Sequence, residues 1–176
     1  MDTAAITFDV TLEEGFLPLV KWLANRRATS GHPPLVHTHR TSDRVELFTQ
    51  STGAEFAFAQ LFNACPSASP NDYRLHDFDL DGWGLIDIKH TQLHHGNLVI
   101  NPAKQRHKVN GYVLMSGTFP RYRFKGWATP GDVFERGKVT QLTSKVYMVP
   151  AEKLRPAPQR YTAIAHRHEM RASVTR

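Results

Sequence analysis

The sequence predicts an α+β fold with an α/β/α-like arrangement, in which helices flank a mixed central β-sheet. Helical patterns occupy the first third of the chain, and strand-like alternation of apolar and polar residues follows them. This order favours α+β over a doubly wound fold, in which strands and helices alternate throughout. A chain of 176 residues suits one domain. We predict that domain over residues 1–155 and a basic tail over residues 156–176, disordered apart from a weak helical pattern at about 161–172.

Two helices are predicted before the strands. Residues 11–28 carry apolar side chains at helical spacing, with Thr11 as N-cap and with Pro18 either kinking the helix or shifting its start. Residues 53–63 form the second helix, with Thr52 as its cap. The segments between them are a loop at 29–43 and residues 45–48, which suit either a strand or a helix.

The most strand-like part of the chain begins at about residue 73. Residues 73–80 and 83–91 alternate, and Asp81-Gly82 between them is a strong hairpin-turn signal. A hairpin therefore brings the acidic residues of its first strand next to those of its second. Further short strands are predicted at 98–100, 111–116, 122–127 and 146–149.

The charge distribution suggests a polyanionic partner. The net charge is +6, and acidic residues crowd the middle of the chain while arginines and lysines follow them. Basic side chains that neutralise phosphates release condensed counterions, which favours nucleic-acid binding. The single cysteine, Cys65, excludes an internal disulfide framework. With no apolar run long enough to cross a bilayer and no visible secretory signal, we expect no membrane association and a cytoplasmic location.

Asp87-Ile88-Lys89 is the strongest candidate for a site. Strand alternation places Asp87 and Lys89 on one face and Ile88 on the other. An acid and a lysine that project together from a buried strand are costly unless they are paired or hold a cation. The alternative without a functional role is a structural salt bridge within a β-hairpin.

The hairpin loop decides which acids join Asp87. A three-residue loop places Asp77 directly across from Asp87, with Asp79 diagonal to it, whereas a two-residue loop rotates both to the other face. We favour the three-residue loop because it clusters the carboxylates.

The cluster suits metal-assisted phosphodiester hydrolysis. Mg²⁺ is held by hard oxygen ligands, here the carboxylates and the backbone carbonyl of Ile88, and it activates water and stabilises charge on the phosphate. Lys89 beside the attacking water would orient it or neutralise the transition state. Glu55 on the second helix has two interpretations: it holds a metal-bound water, or it forms a capping box with Thr52.

Four segments together resemble the PD-(D/E)XK nuclease superfamily, which has the restriction-endonuclease-like fold, and in particular its phage and prophage members. They are the helix at 53–59, the hairpin entry at 76–80, the strand at 85–91 and the segment 112–129. The resemblance implies a restriction-endonuclease-like core and Mg²⁺ or Mn²⁺ as cofactor. It also implies a location in a bacterial or phage-infected cell.

By the same resemblance, Asp77 is the first motif acid, Asp87 the second, Lys89 the motif lysine and Glu55 the helix glutamate. His76 stands where the motif has proline, which leaves Asp77 against Asp79 open. The predicted metal ligands are thus Asp77, Asp87, Ile88 and Glu55.

The function expected is that of a metal-dependent nuclease acting on DNA, with RNA as an open alternative. A second interpretation is a nuclease-fold protein that binds nucleic acid or a protein partner without cutting it. Cleavage of palindromes or junctions would require a homodimer. The side chains expected to contact nucleic acid are His90 and Gln92, which follow Lys89, and Arg121, Arg123 and Lys125, which form the basic face of one strand. The alternative interpretation of that face, without a functional role, is an edge strand protected by charge.

Overall fold

A five-stranded mixed sheet forms the centre of the fold. The computed structural model describes residues 6–30, 41–68, 76–106, 108–141 and 145–174. The strands in these ranges are β1 (Phe8–Thr11), β2 (Phe78–Leu80), β3 (Gly84–Thr91), β4 (Leu98–Ile100), β5 (Gly111–Thr118), β6 (Arg121–Ala128), β7 (Lys138–Gln141) and β8 (Lys145–Val149). The order in the central sheet is β1-β6-β5-β3-β2, where only β3 and β5 are parallel. The other three strands form an antiparallel sheet in the order β4-β8-β7.

Three of the described helices cover one face of the central sheet: α1 (Phe16–Thr29), α2 (Thr41–Phe62) and α4 (Gln159–Val174). The short helix α3 (Pro130–Phe134) lies on the other side, where Val133 packs with the smaller sheet. The C-terminal half of α2 is buried on every side, since α1, α4 and the sheet surround it. Its Phe56, Phe58 and Phe62 join Ile86 and Phe124 of the sheet in the main core. The fold is therefore mixed α+β, with a mixed sheet flanked by helices, as predicted.

The opposite face of the central sheet packs against the smaller sheet. Tyr112 and Leu114 of β5 contact a second apolar cluster that contains Leu98, Ile100 and Val149. Successive β5 residues thus enter the two cores alternately. This explains why β5 is buried along most of its length.

The hairpin has the register that clusters the acids. Phe78 pairs with Ile86 and Leu80 with Gly84, so three residues, Asp81-Gly82-Trp83, form the loop. The prediction of a three-residue loop is confirmed. Gly82 has φ of +73°, a conformation that favours glycine, and this explains the strong turn signal at that position.

The N-terminal boundaries differ from the sequence prediction. Thr11 belongs to β1 and pairs with Arg121, so it does not cap α1, which begins at Phe16. Pro18 lies in the first turn, where its missing N–H has no intrahelical partner in any case, and it therefore shifted the start of the helix. The predicted loop at 29–43 falls largely on residues 31–40, which lie outside the described residues.

The second helix begins much earlier than expected. α2 runs from Thr41, includes the ambiguous segment at 45–48, and carries Thr52 and Glu55 well inside it. The predicted cap at Thr52 and the predicted capping box are therefore wrong. Polar residues such as Thr49 and Gln50 obscured the helical pattern of this segment in the sequence. In the structure, Thr49 donates to the carbonyl of Val45 and Gln50 to the side chain of Glu46, each in the preceding turn.

The C-terminal segment contributes to the core. Tyr161 and Ala165, one helical turn apart on α4, are buried in the main cluster together with Ala157, and the hydroxyl of Tyr161 donates to the carbonyl of Asp81 over 2.8 Å. The prediction of disorder is therefore wrong for the described part of this segment. A narrow stripe of apolar residues on an otherwise basic helix is therefore sufficient to pack α4 against the core.

Strand positions after the hairpin were predicted well. The strands expected at 98–100, 111–116, 122–127 and 146–149 correspond to β4, β5, β6 and β8. The sequence prediction missed β1 and β7. Because β1 pairs with Arg121–Phe124 and β5 pairs along the other side of β6, the interpretation of the basic face as a charge-protected edge is wrong for Arg121 and Arg123, whereas Lys125 lies beyond the end of β1. None of the described helices is both long and apolar enough to cross a membrane.

Candidate metal and nuclease site

The candidate site lies at the edge of β3, beside the first residue of β2. Residues 87–91 of β3 continue past the pairing with β2. The carboxylate of Asp77 accepts a hydrogen bond from the backbone N–H of Ile88 over 2.6 Å. Asp77 therefore takes the position that a backbone acceptor of a longer β2 would occupy. The carbonyl of Ile88 points to the same open edge, because both polar groups of a strand residue face the same side.

Asp87 is the centre of the charge cluster. Its side chain is only 5% exposed and contacts two ammonium groups. Lys89 pairs with Oδ1 of Asp87 and also donates to the carbonyl of Ile88 over 3.1 Å. The carboxylate of Asp87 and the carbonyl of Ile88, both predicted as metal ligands, thus converge on one cationic group.

The second oxygen of Asp87 lacks a hydrogen bond. Oδ2 is buried and accepts none within the described residues, although the ammonium of Lys104 lies 3.3 Å away. A buried acceptor left without a hydrogen bond costs about 1–3 kcal/mol. This oxygen is therefore available to a further cation.

Asp77 has a strongly perturbed proton affinity. Burial, together with the negative charges of Glu55 and Asp87, raises the pKa of Asp77 to about 8, against the opposing effects of Lys89 and the Ile88 N–H. In the absence of an added cation, Asp77 is thus mostly protonated at neutral pH. A dication beside it would favour the ionised form.

Glu55 reaches the cluster from α2 but has a partner of its own. A guanidinium nitrogen of Arg27, from α1, lies 2.9 and 3.1 Å from its two carboxylate oxygens and also donates to the hydroxyl of Thr52 over 3.0 Å. Burial raises the pKa of Glu55, and the charge of Asp87 adds to this while Arg27 and Lys89 oppose it. Glu55 therefore belongs electrostatically to the cluster, with Arg27 holding its side chain.

The present arrangement is balanced by protein cations. Among the residues that the structure describes, no three histidine, cysteine or acidic side chains converge in a way that could hold a metal ion. Asp77 points to the Ile88 N–H, Asp87 to two lysines and Glu55 to Arg27. The ligands that fit a hard dication are Asp87, Asp77 and the Ile88 carbonyl, provided that the lysines yield the oxygens they contact.

Three residues at the site were missed in the sequence. Arg27 lies in the last turn of α1, 28 residues before its partner Glu55. Lys104 belongs to a 3-10 helix at Pro102–Arg106, and the hydroxyl of Tyr112 holds its carbonyl over 3.2 Å. Tyr112 is the β5 partner of Asp87, and burial together with the charge of Asp87 raises the pKa of its hydroxyl to about 12. No local motif marks any of the three, since each reaches the site through tertiary packing.

His90 is not brought into the cluster. It follows Lys89 on β3 and therefore faces the helical side of the sheet. Its Nε2 lies 2.8 Å from the carbonyl of Gly117, and its ring contacts that of Tyr122 edge-on. Burial lowers the pKa of this imidazole. These contacts indicate a structural role for His90, on the sheet face opposite to Asp87 and Lys89.

A cleft of about 750 Å³ contains three of the other predicted nucleic-acid contacts. Its lining includes Gln92, Arg121 and Arg123. The register aligns Thr91 with Ser116, and Ser116 with Arg123, so the cleft opens on the sheet face that carries Asp87 and Lys89. With strands about 4.8 Å apart, Arg123 on β6 lies roughly 10 Å across the sheet from β3.

The cleft is basic but contains one acid. Arg123 binds both carboxylate oxygens of Asp9 over 2.5 and 2.7 Å, and this bond, followed by the charge of Arg123, lowers the pKa of Asp9. The side chain of Arg121 is exposed and has no hydrogen bond or ion pair to any described residue. Lys125 lies outside the cleft lining, at the irregularity where the β5–β6 register shifts. Arg121 is therefore the cleft cation most available to a phosphate.

Comparison with known proteins finds no matching family model, no similar curated protein and no similar solved structure.

Proposed function

We propose that the chain is a metal-dependent nuclease of the PD-(D/E)XK kind, with a restriction-endonuclease-like core, that hydrolyses phosphodiester bonds in DNA. One observation carries the proposal: Asp87 is buried with an oxygen that accepts no hydrogen bond, while Asp77 lies across the hairpin and Lys89 bridges Asp87 and the Ile88 carbonyl. A structural salt bridge does not require a second carboxylate with a pKa near 8.

The residues at the open edge of β3 fit a hard divalent cation. Asp87, Asp77 and the carbonyl of Ile88 would hold Mg²⁺ or Mn²⁺, with Glu55 beside them. The bound ion would supply a nucleophilic hydroxide at neutral pH and stabilise charge on the phosphate. Asp77 would release its proton to solvent when it becomes a ligand.

The protein groups around these ligands have separate roles. Lys89 is tethered next to Asp87 and would orient the attacking water and neutralise the charge that develops on the phosphate. Glu55, fixed by Arg27, would accept a hydrogen bond from the same water. Arg27 is a positioning residue, because it acts through Glu55.

The cleft on the same sheet face suits a nucleic-acid strand. The cleft lies about 10 Å across the sheet from β3 and, because Arg123 aligns through Ser116 with Thr91, about 13 Å further along that strand than Asp87. Arg121 and Arg123 would therefore bind a phosphate several nucleotides from the reacting one. The net charge of +6 supports the same partner. A phosphate at Arg123 would compete with Asp9 for the guanidinium.

A second candidate is a nuclease-fold protein that binds nucleic acid or a protein partner without cutting it. The observation that favours it is that protein cations already accompany the acids: Arg27 pairs with Glu55, and Lys89 and Lys104 pair with Asp87, so the cluster does not depend on a metal for its positive charge. Under this interpretation the site is a structural ion-pair network.

A cleavage assay separates the two candidates. The purified protein is incubated with linear, circular and branched DNA, and with RNA, in Mg²⁺ or Mn²⁺, beside Asp87→Ala and Lys89→Ala variants. We expect cleavage by the wild type and a loss of at least about 100-fold in both variants. Asp79→Asn is the matched control, because Asp79 is exposed on the same strand and its loss changes the charge equally.

Cleavage that survives both Asp87→Ala and Lys89→Ala would show that the site is assigned wrongly. Binding by the wild type without cleavage under any of these conditions would favour the second candidate. Selective cleavage of RNA would correct the substrate and retain the site.

A further inference from the structure

Lys104 is held at the site by its backbone. It lies in the 3-10 helix before β5, where its N–H donates to the carbonyl of Asn101 over 2.9 Å. Its own carbonyl accepts from the hydroxyl of Tyr112 over 3.2 Å. Tyr112 pairs with Asp87 across the parallel strands. The same two strands thus fix both the carboxylate and the lysine that faces it.

The ammonium of Lys104 lies next to Asp87 but forms no hydrogen bond with its carboxylate. It lies 3.3 Å from Oδ2, which still lacks a hydrogen bond, while Lys89 already pairs with Oδ1. Two ammonium groups therefore share one carboxylate, and the local positive charge exceeds the negative charge of Asp87. The side chain of Lys104 is 32% exposed, so part of this excess charge is open to solvent.

We propose that Lys104 is a second lysine of the active site, with the Asp87 carboxylate as its partner in the metal-free protein and a phosphate oxygen of nucleic acid as its partner in the metal-loaded protein. This inference rests on the proposed nuclease function, since it assigns a further contact to the same substrate.

Electrostatics requires the change of partner. A divalent cation on Oδ2 of Asp87 and the ammonium of Lys104 cannot share that oxygen, because like charges a few ångströms apart repel strongly in a partly buried site. The fixed backbone keeps the lysine next to Asp87. A phosphate held there offers the nearest replacement anion, and an ammonium binds phosphate well as a compact point charge.

The first test measures metal binding in the absence of nucleic acid. Mn²⁺ affinity is determined by titration calorimetry for the wild type, Lys104→Gln and the matched control Lys108→Gln, whose lysine is exposed a few residues further on. Because Lys104 competes for an oxygen of Asp87, we expect Lys104→Gln to bind Mn²⁺ roughly three- to tenfold more tightly than the other two proteins.

The second test measures nucleic-acid binding. The affinity for a DNA oligonucleotide in Mn²⁺ is followed against salt concentration in the Lys89→Ala protein, with and without Lys104→Gln. A lost phosphate contact lowers the slope of log affinity against log salt by roughly 0.7–0.9. We expect this reduction for Lys104→Gln, no change for Lys108→Gln, and retention of the slope in Lys104→Arg.

Equal Mn²⁺ affinity in Lys104→Gln and Lys108→Gln would overturn the competition between Lys104 and the metal. An unchanged salt slope would overturn the phosphate contact. If both effects are observed but the wild type cleaves no nucleic acid, the role of Lys104 in binding is supported while the nuclease function fails, so the two failures are distinguishable.

Discussion

Asp77 immediately precedes the first paired residue of β2 and binds β3 on both sides of Asp87: its N–H donates to the carbonyl of Ile86 over 2.8 Å, and its carboxylate accepts from the N–H of Ile88 over 2.6 Å. Asp77 therefore satisfies a backbone N–H at the edge of β3, the strand that carries Asp87. Their charges nevertheless interact, because the charge of Asp87 contributes to the raised pKa of Asp77. The pair combines a structural role with a buried oxygen, Oδ2 of Asp87, that accepts no hydrogen bond from a described residue.

The raised pKa of Asp77 predicts a pH-dependent stability. The folded protein keeps a proton on Asp77 up to about pH 8, whereas the unfolded chain loses it near the ordinary aspartate pKa of 3.8. The free energy of unfolding should therefore fall as pH rises between about 4 and 8, by up to about 1.4 kcal/mol per pH unit for this proton. Asp77→Asn keeps an acceptor for Ile88 and removes the titration. Its stability relative to the wild type should increase with pH.

Chemical denaturation in EDTA at pH 5, 6.5 and 8 measures this difference. Parallel stability curves for the two proteins would contradict the raised pKa. Added Mn²⁺ should stabilise the wild type more than Asp77→Asn, since the metal favours the ionised carboxylate.

Loss of Lys89 should destabilise the metal-free protein as well as abolish cleavage. Lys89→Ala leaves Oδ1 of Asp87 without its ion-pair partner, and breaking a buried pair costs about 3–5 kcal/mol, although Lys104 nearby reduces that cost. Thermal unfolding in EDTA, with Lys108→Gln as control, measures the effect. Mn²⁺ should restore part of the lost stability but not the activity, and full recovery of activity would contradict a role for Lys89 in the reaction.

The Arg27–Glu55 pair predicts a large coupling energy. Removing the guanidinium leaves a buried carboxylate uncompensated, so Arg27→Gln should cost about 2–4 kcal/mol, and Glu55→Gln should recover much of this in the double variant. Arg26→Gln, the exposed neighbour on α1, is the matched control. Additive single effects in a double-mutant cycle would mean that the two side chains do not act as a pair.

Arg121 should contribute a phosphate contact. It is exposed in the cleft and forms no hydrogen bond or ion pair with a described residue, so Arg121→Gln should weaken nucleic-acid binding without lowering the melting temperature. The salt slope of binding should fall by roughly 0.7–0.9. Lys138→Gln removes an exposed cation from β7, outside the cleft, and should leave the slope unchanged.

Local patterns predicted the hairpin and the faces of its strands. Gly82 marks the turn, and alternation along β3 separates Asp87 and Lys89 from Ile86 and Ile88. These features depend on residues close together in the chain, where backbone geometry and side-chain period are decisive. Fold class and most strand positions followed from the same information.

Long-range packing explains what sequence reasoning missed. The partner of Glu55 is 28 residues away, and Lys104 is held by a tyrosine whose place depends on the parallel pairing of β3 with β5. α4 forms because Tyr161 and Ala165 fit a groove made by distant elements. Side chains of this kind carry no local signal, since the same residues would be solvated in another fold.

The length of the loop Asp81-Gly82-Trp83 determines which side chains of the hairpin face the site. Deletion of one loop residue while the pairing is kept would turn Asp77 away from Asp87 and direct Phe78 out of the core. The three loop positions do not tolerate substitution equally, because Asp81 is exposed, Gly82 has a positive φ, and Trp83 is buried in the main core against Phe62 and Tyr161. Evolution of this protein can therefore vary position 81 most readily, whereas an insertion or deletion in the loop would disturb the core and the acidic cluster together.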